Sequence, residues 1–331
     1  MTDRTGNMVA VAVQGIGGMN AFNAGALQTF REHGIRPDIL SVTSGAILSA
    51  YYYLDEQNLQ ALAEFYTKYF QETSEDGVPD EVKFMQYALT GMPDVFRTIS
   101  PLERYMTSFP LLTWSDWLSF WFPAKTYESI RPDSFFEEIA NRFASSDIGI
   151  IANAYHFAKD KAVLYTNHAA REKTELSIGE DDNYIVKDMS ADGIKSCLQL
   201  IQYGEYNGEY DGAYQYNPVL GPLTVADHII LITVETIEKS LKPITSYFDV
   251  EDFKLKMLFK NAIYAELNSI ELINRLIKEG KLVDSKYKSI QVSMIQPNEY
   301  RGYFDYFVET PTFFANGKEQ AEEFLNTTAI V

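Results

Sequence analysis

The chain has 331 residues, 46% of them hydrophobic and 22% charged, which suffices to bury the core of one large α/β domain or two smaller ones. A net charge of −18, from 28 basic and 46 acidic residues, argues against nucleic acid as a partner and against long-range attraction to anionic membranes. One cysteine, Cys197, rules out an internal disulfide and any cysteine-rich metal site, and fits a reducing compartment.

The opening MTDRTGNMVAVAVQG has no apolar stretch behind a basic segment, and no apolar run approaches the ~20 residues of a spanning helix. The expectation is a soluble, cytoplasmic protein. MVAVAV (8–13) predicts a central parallel strand that stops at the glycine-rich QGIGGMN. In the segment that follows, Met19, Phe22, Ala26 and Phe30 fall at helical spacing, with Gly34 as a stop. DILSV then predicts a second strand, with a helix from about Gly45 and an amphipathic continuation over 55–70. Strand, glycine turn, helix, strand and helix in that order predict an α/β fold with a parallel sheet.

From 71 to 135 the pattern loosens into prolines and aromatics, read as an inserted cap. IGIIANAYHF and KAVLYTN (148–167) predict a strand pair, and residues 190–219 a helix followed by sharp turns. DHIILITVE (227–235) predicts another buried strand, 253–280 a long amphipathic helix or helix pair, and SIQVSMIQP (289–297) a late strand. The domain expectation is a single unit over 1–331, with 240–331 as a C-terminal helical extension carrying that strand.

Three stretches carry chemistry. GIGGMN (15–20) joins a strand to a helix, where glycines admit a close ligand and helix amides attract negative charge. It suits either a dinucleotide pyrophosphate, with Asp38 as a loosely placed ribose acid, or the oxyanion of an acyl transfer; position 20 is Asn where a dinucleotide fingerprint has its third glycine. Thr43 and Ser44 stand where a strand breaks into a helix, a place for a nucleophile elbow or for an ordinary helix N-cap. YNGEYDGAYQYNPV (206–219) holds Asn207-Gly208, a two-residue hairpin signal, and then Asp211-Gly212, more turn signal than one hairpin needs.

The ordered set of these stretches resembles the patatin-like phospholipase family. That family reads strand, G-G-G-x-R-G, helix, G-x-S-x-G and, much later, D-G-G/A followed by N-P. Here Gly15, Gly17 and Gly18 lie in the glycine loop, Gly25-Ala26-Leu27 matches the G-V-L within its helix, and DILSVTSGA matches D-x-I-x-G-T-S-x-G. Asp211-Gly212-Ala213 with Asn217-Pro218 matches the D-G-A and N-P element in order and spacing. Ile16 stands where the family has a glycine, Met19 where it has a basic residue, and the elbow is not a strict G-x-S-x-G.

The resemblance implies a three-layer α/β/α fold with a mainly parallel central sheet and, in this chain, a helical, aromatic-rich insertion. It implies a lipid acyl hydrolase of phospholipase A type, without a cofactor or metal, working through a Ser–Asp dyad. Asp211 is the implied base, and Gly15, Gly17, Gly18 and Gly45 are the implied oxyanion hole. Ungapped counting from Asp38 or Gly15 gives Ser44 as the nucleophile; counting back from GAILSA gives Thr43, flanked by the small residues Ser41 and Gly45. Ser44 is the expectation and Thr43 the alternative register.

Trp114, Trp117 and Trp121, at helical spacing within LLTWSDWLSFWFP (111–123), form an aromatic face. It suits either a lipid-admitting lid in transient contact with a membrane surface or a helix packed on the core. The expected partner is a lipid or phospholipid substrate and not nucleic acid. The competing expectations are a catalytically inactive patatin fold that binds lipid or protein, and a nucleotide-binding α/β protein.

Overall fold

Short apolar runs bounded by turns form the middle of the sheet, as strands buried on both faces require. The computed structural model describes residues 7–16, 20–64, 95–99, 113–114, 125–236, 243–245, 247–284, 287–299 and 310–328. In chain order its elements begin β1 (Val9–Val13), α1 (Asn20–Glu32), β2 (Ile39–Thr43), α2 (Ala46–Leu54), β3 (Phe96–Thr98), β4 (Tyr127–Ser129) and α3 (Asp133–Ala144). They continue β5 (Gly149–His156), β6 (Lys161–Thr166), α4 (His168–Thr174), β7 (Gly179–Glu180), β8 (Tyr184–Asp188), α5 (Ala191–Cys197) and β9 (Glu209–Asp211). The last are β10 (His228–Ile232), α6 (Tyr247–Lys278), β11 (Gln291–Ile295) and α7 (Thr310–Thr327).

The main sheet runs β11-β10-β1-β2-β5-β6-β8-β7, with β9 added on β5. From β11 to β5 every pairing is parallel; β5 with β6, β5 with β9 and β7 with β8 are antiparallel. Side chains alternate between two apolar layers, as strand geometry demands. Val11, Val13, Leu40 and Val42 pack with Phe22, Ile47, Phe136, Ile194 and Phe313, drawn from α1, α2, α3, α5 and α7. Ala10, Ala12 and Ile39 face the other way, toward Ala170 of α4, Leu223, and Ile263 and Ile270 of α6. The fold is a three-layer α/β/α sandwich around a mainly parallel sheet.

Helix α1 ends as its sequence predicts: Gly34 takes φ +69°, its N–H donates to the Arg31 carbonyl at 3.1 Å, and Ile35 N–H donates to Phe30 at 2.8 Å. The 55–70 continuation differs from expectation. α2 stops at Leu54, Glu56 turns left-handed at φ +54°, and Asn58 Oδ1 accepts the Gln60 N–H at 3.1 Å, starting a new helical turn after the break. In the 71–135 segment β3 and β4 form an antiparallel ribbon and Trp114 is helical; most of the expected aromatic insertion lies outside the described residues. The late strand β11 is an integral strand of the main sheet, paired in parallel with β10.

Helices α1 and α7 touch backbone to backbone. A Cβ on Gly25 would lie 2.1 Å from the Phe314 carbonyl oxygen, and one on Gly317 would lie 2.1 Å from that of Phe22. Gly25→Ala is therefore expected to lower unfolding stability by about 1–3 kcal/mol, the usual cost of overpacking. Thermal denaturation reads this directly; an unchanged midpoint would mean that the two helices do not approach this closely.

Candidate active site

The site begins with the two edges of β5. β6 occupies one edge along residues 151–156, so β2, which pairs with 149–153, and β9, which pairs with 154–156, must share the other. Thr43, the last residue of β2, is paired with Asn153, and Asp211, the last residue of β9, with Ala154. β2 and β9 run in opposite directions on that edge and meet end to end. Ser44, one residue past β2, is thereby brought beside Asp211, although 167 positions separate them in the chain.

Ser44 adopts φ +52°, in the left-handed region that a residue with a Cβ enters at a cost of roughly 1–3 kcal/mol. Its side chain does not cap the following helix: the N-cap of α2 is Gly45, with no side-chain cap. Thr43 keeps extended strand geometry and donates its hydroxyl to Asn153 Oδ1 at 2.5 Å, with both residues buried. Of the two candidate hydroxyls, Thr43's is committed to a neighbour, and Ser44's stands on the strained corner beside the carboxylate.

Asp211 is fully buried. Its Oδ1 accepts the Ala213 N–H at 2.8 Å, the turn role expected of an Asp-Gly pair. That bond fixes the carboxyl and leaves Oδ2 without an aligned partner. Burial pushes the Asp211 carboxyl up to about 7, against the Ser44 hydroxyl and the Ala213 N–H, which pull it down. Among the described residues, neither a cation nor a histidine is one of the groups acting on it. β9 is itself pinned by Glu209, whose buried carboxylate accepts Tyr165 Oη–H at 2.7 Å and Lys187 Nζ–H at 2.5 Å, and by Asp211 N–H on the Gln199 carbonyl at 2.8 Å.

The first glycine of the N-terminal loop fits against the elbow. A Cβ on Gly15 would fall 1.8 Å from the Thr43 carbonyl oxygen and 2.9 Å from the Ala46 nitrogen. Asn217 clamps Gly15 from the other side, its Oδ1 accepting the Gly15 N–H at 2.9 Å and its Nδ2 donating to the Gly15 carbonyl at 2.8 Å. This corrects one expectation: with its N–H already given to Asn217, Gly15 anchors the loop and is not an oxyanion donor. Gly45 directly follows Ser44 at the start of α2. Gly17, Gly18 and Met19 lie outside the described residues, as do Trp117 and Trp121; Trp114 is 77% exposed.

The dinucleotide alternative loses its acid. Asp38 precedes β2, at the end of the sheet away from the glycine loop, and its Oδ2 accepts the Val9 N–H at 2.9 Å. Sequence reasoning passed over Asn153, which touches both halves of the site. Its only sequence signal is a polar residue inside the apolar run IGIIANAY. No protein-family model matches this sequence, and no curated protein matches it. Among the described residues no cluster of His, Cys, Asp and Glu could hold a metal ion, and no helix is long and apolar enough to cross a membrane.

A buried carboxyl raised to about 7 destabilises the fold at neutral and higher pH. Between the unfolded value near 4 and about 7 the native state holds a proton that the unfolded chain releases, so stability falls as pH rises through that window. Asp211→Asn keeps the shape and the acceptor for Ala213 while removing this penalty. The variant should be more stable than wild type at pH 8, by on the order of 1–4 kcal/mol, with the gap closing toward pH 4. Glu266, half-buried and also raised to about 7 by burial, is common to both proteins and cancels in the comparison. Denaturant melts at the two pH values read the difference; equal stability at pH 8 would contradict the burial of an ionised Asp211.

Proposed function

We propose that the protein is a serine esterase of the patatin-like kind, a lipid acyl hydrolase in which Ser44 is the nucleophile and Asp211 the base. The observation that carries this reading is a serine held left-handed on a strand-to-helix corner, its hydroxyl acting on a buried carboxyl that keeps one oxygen without an aligned partner. A carboxyl near 7 is matched to accepting and returning a proton at neutral pH, as general acid–base catalysis requires.

In the proposed reaction Ser44 Oγ attacks the ester carbonyl carbon while its proton passes to Asp211 Oδ2. The tetrahedral oxyanion is held by backbone amides, that of Gly45 among them, because the amide after an elbow nucleophile points at the reacting oxygen. Collapse breaks the acyl carbon–oxygen bond, and Asp211 returns its proton to the departing alcohol. Water then attacks the acyl-serine, giving one proton to Asp211; the acid leaves as the proton goes back to Ser44. The choice of a lipid ester rests on the patatin-like motif order and on the aromatic segment around the exposed Trp114.

The second reading, a catalytically silent patatin fold, draws support from Ile16, a buried side chain in the loop where the family pattern has glycine. One experiment separates the two. A fluorophosphonate probe should label wild type at Ser44, located by mass spectrometry, with a rate that rises with pH to a plateau above about 7 as Asp211 ionises. Ser44→Ala should abolish labelling and the hydrolysis of a short-chain ester, whereas Thr43→Ala should retain a labelled Ser44. Labelling at Thr43 would move the nucleophile to the alternative register and end the Ser44 assignment; no labelling in folded wild type would end the hydrolase reading.

A further inference from the structure

Asn153 is buried on β5 at the point where β2 gives way to β9. Its Oδ1 accepts the Thr43 hydroxyl at 2.5 Å, and its Nδ2 donates to the Tyr216 carbonyl at 3.0 Å. The amide orientation is fixed by these neighbours, since a flip would set its oxygen against the Tyr216 carbonyl. Thr43 immediately precedes Ser44, and Tyr216 closes the turn that starts at Asp211, its N–H donating to the Gly212 carbonyl at 2.9 Å. Gly212 lies directly against the same side chain: a Cβ there would be 2.2 Å from Asn153 Nδ2 and 2.5 Å from the Asn153 carbonyl oxygen. The glycine after Asp211 is thus required by Asn153, which fills the space that a larger residue at 212 would take.

We propose that Asn153 is a positioning residue that sets the separation of Ser44 and Asp211, with one end of its amide tied to the nucleophile's strand and the other to the base's turn. The inference rests on Ser44 and Asp211 being nucleophile and base. Asn153 itself touches neither the substrate nor the proton in flight; it holds the elbow and the aspartate turn at one distance while both strands end. A buried amide needs a partner for its oxygen and another for its nitrogen, and here the two come from different segments of the site. Here a single amide joins two segments that, among the described residues, both pair with neighbouring residues of β5 at this point.

The test is the rate of fluorophosphonate labelling at Ser44 against pH, together with kcat and KM on a short-chain ester, for folded protein checked by circular dichroism. Asn153→Ala should slow labelling about 10–100-fold and lower kcat by a similar factor with KM little changed, the effect of losing alignment without losing binding. Thr43→Val, which keeps the Tyr216 bond, should give a smaller loss of about 3–10-fold. Asn153→Asp keeps the acceptor for Thr43 but sets a second carboxylate near Asp211, and should move the pH midpoint upward, which checks that residue 153 adjoins the base; the fall in kcat at little-changed KM is the readout that a merely structural asparagine would not give. Folded variants that label within about twofold of wild type, with an unmoved midpoint, overturn the proposal. If Asn153→Ala does not fold, Thr43→Val decides, and a wild-type rate there overturns it. Wild type that is not labelled at Ser44 is a separate result: it removes the nucleophile assignment, and this inference with it.

Discussion

One edge of a single strand carries two others end to end, and the rest of the site follows from that handover. β2 leaves β5 at residue 153 and β9 takes it up at 154 from the opposite direction. A parallel strand must leave its sheet into a helix or loop, whereas an antiparallel arrival brings a turn to the same place. The corner after β2 and the turn after β9 therefore occupy adjoining space, and each carries one side chain of the proposed dyad. The buried core on both faces of the sheet makes this junction rigid: Val42 lies in one apolar layer and Ile39 and Ile151 in the other.

That rigidity holds two features that stability alone would not select. Glycine or asparagine at position 44 would accept a left-handed backbone more readily than serine. Asparagine at position 211 could receive the Ala213 N–H without bringing a charge into the interior. The strain of Ser44 is on the order of 1–3 kcal/mol and the burial of Asp211 is of similar or larger size, so together they are a sizeable share of a typical folding free energy. Paired costs of this kind, meeting at one point, are what a reactive site requires.

Much of this was written in local pattern. The apolar run at 8–13, the stop at Gly34, the Asn207-Gly208 turn (φ +56° and +78°) and the strands after 227 and 289 all follow from residues within a few positions of one another. The aspartate and the serine-bearing corner were legible from motif order. The choice between Thr43 and Ser44 was not, because both side chains are alcohols and only the backbone at 44 and the partner of the Thr43 hydroxyl distinguish them. Asn153 and the three-residue strand β9 were missed for a related reason: their significance comes from long-range pairing, and neither is long or periodic enough to leave a signal. The amide of Gly15 was assigned to the wrong task because its partner, Asn217, lies 202 residues away.

β9 also supplies its own control for the meaning of a buried acid. Glu209 and Asp211, two residues apart, point to the same face of that strand and are equally inaccessible. Both lie close enough to Cys197 to help raise its thiol above the usual range, where burial is the larger cause. Glu209 receives a lysine ammonium and a tyrosine hydroxyl, the cation and donor that normally make a buried carboxylate tolerable. Asp211 receives one backbone N–H and has the Ser44 hydroxyl as its neighbour, while its Oδ2 has no aligned partner. A fold that can bring Lys187 to one acid on this strand has, among the described residues, brought no cation to the next. A nearby cation would pull the Asp211 carboxyl back toward its ordinary range and leave too weak a base to take a proton from an alcohol. The difference between these two carboxylates, more than the burial of either, is the physical argument for chemistry at Ser44.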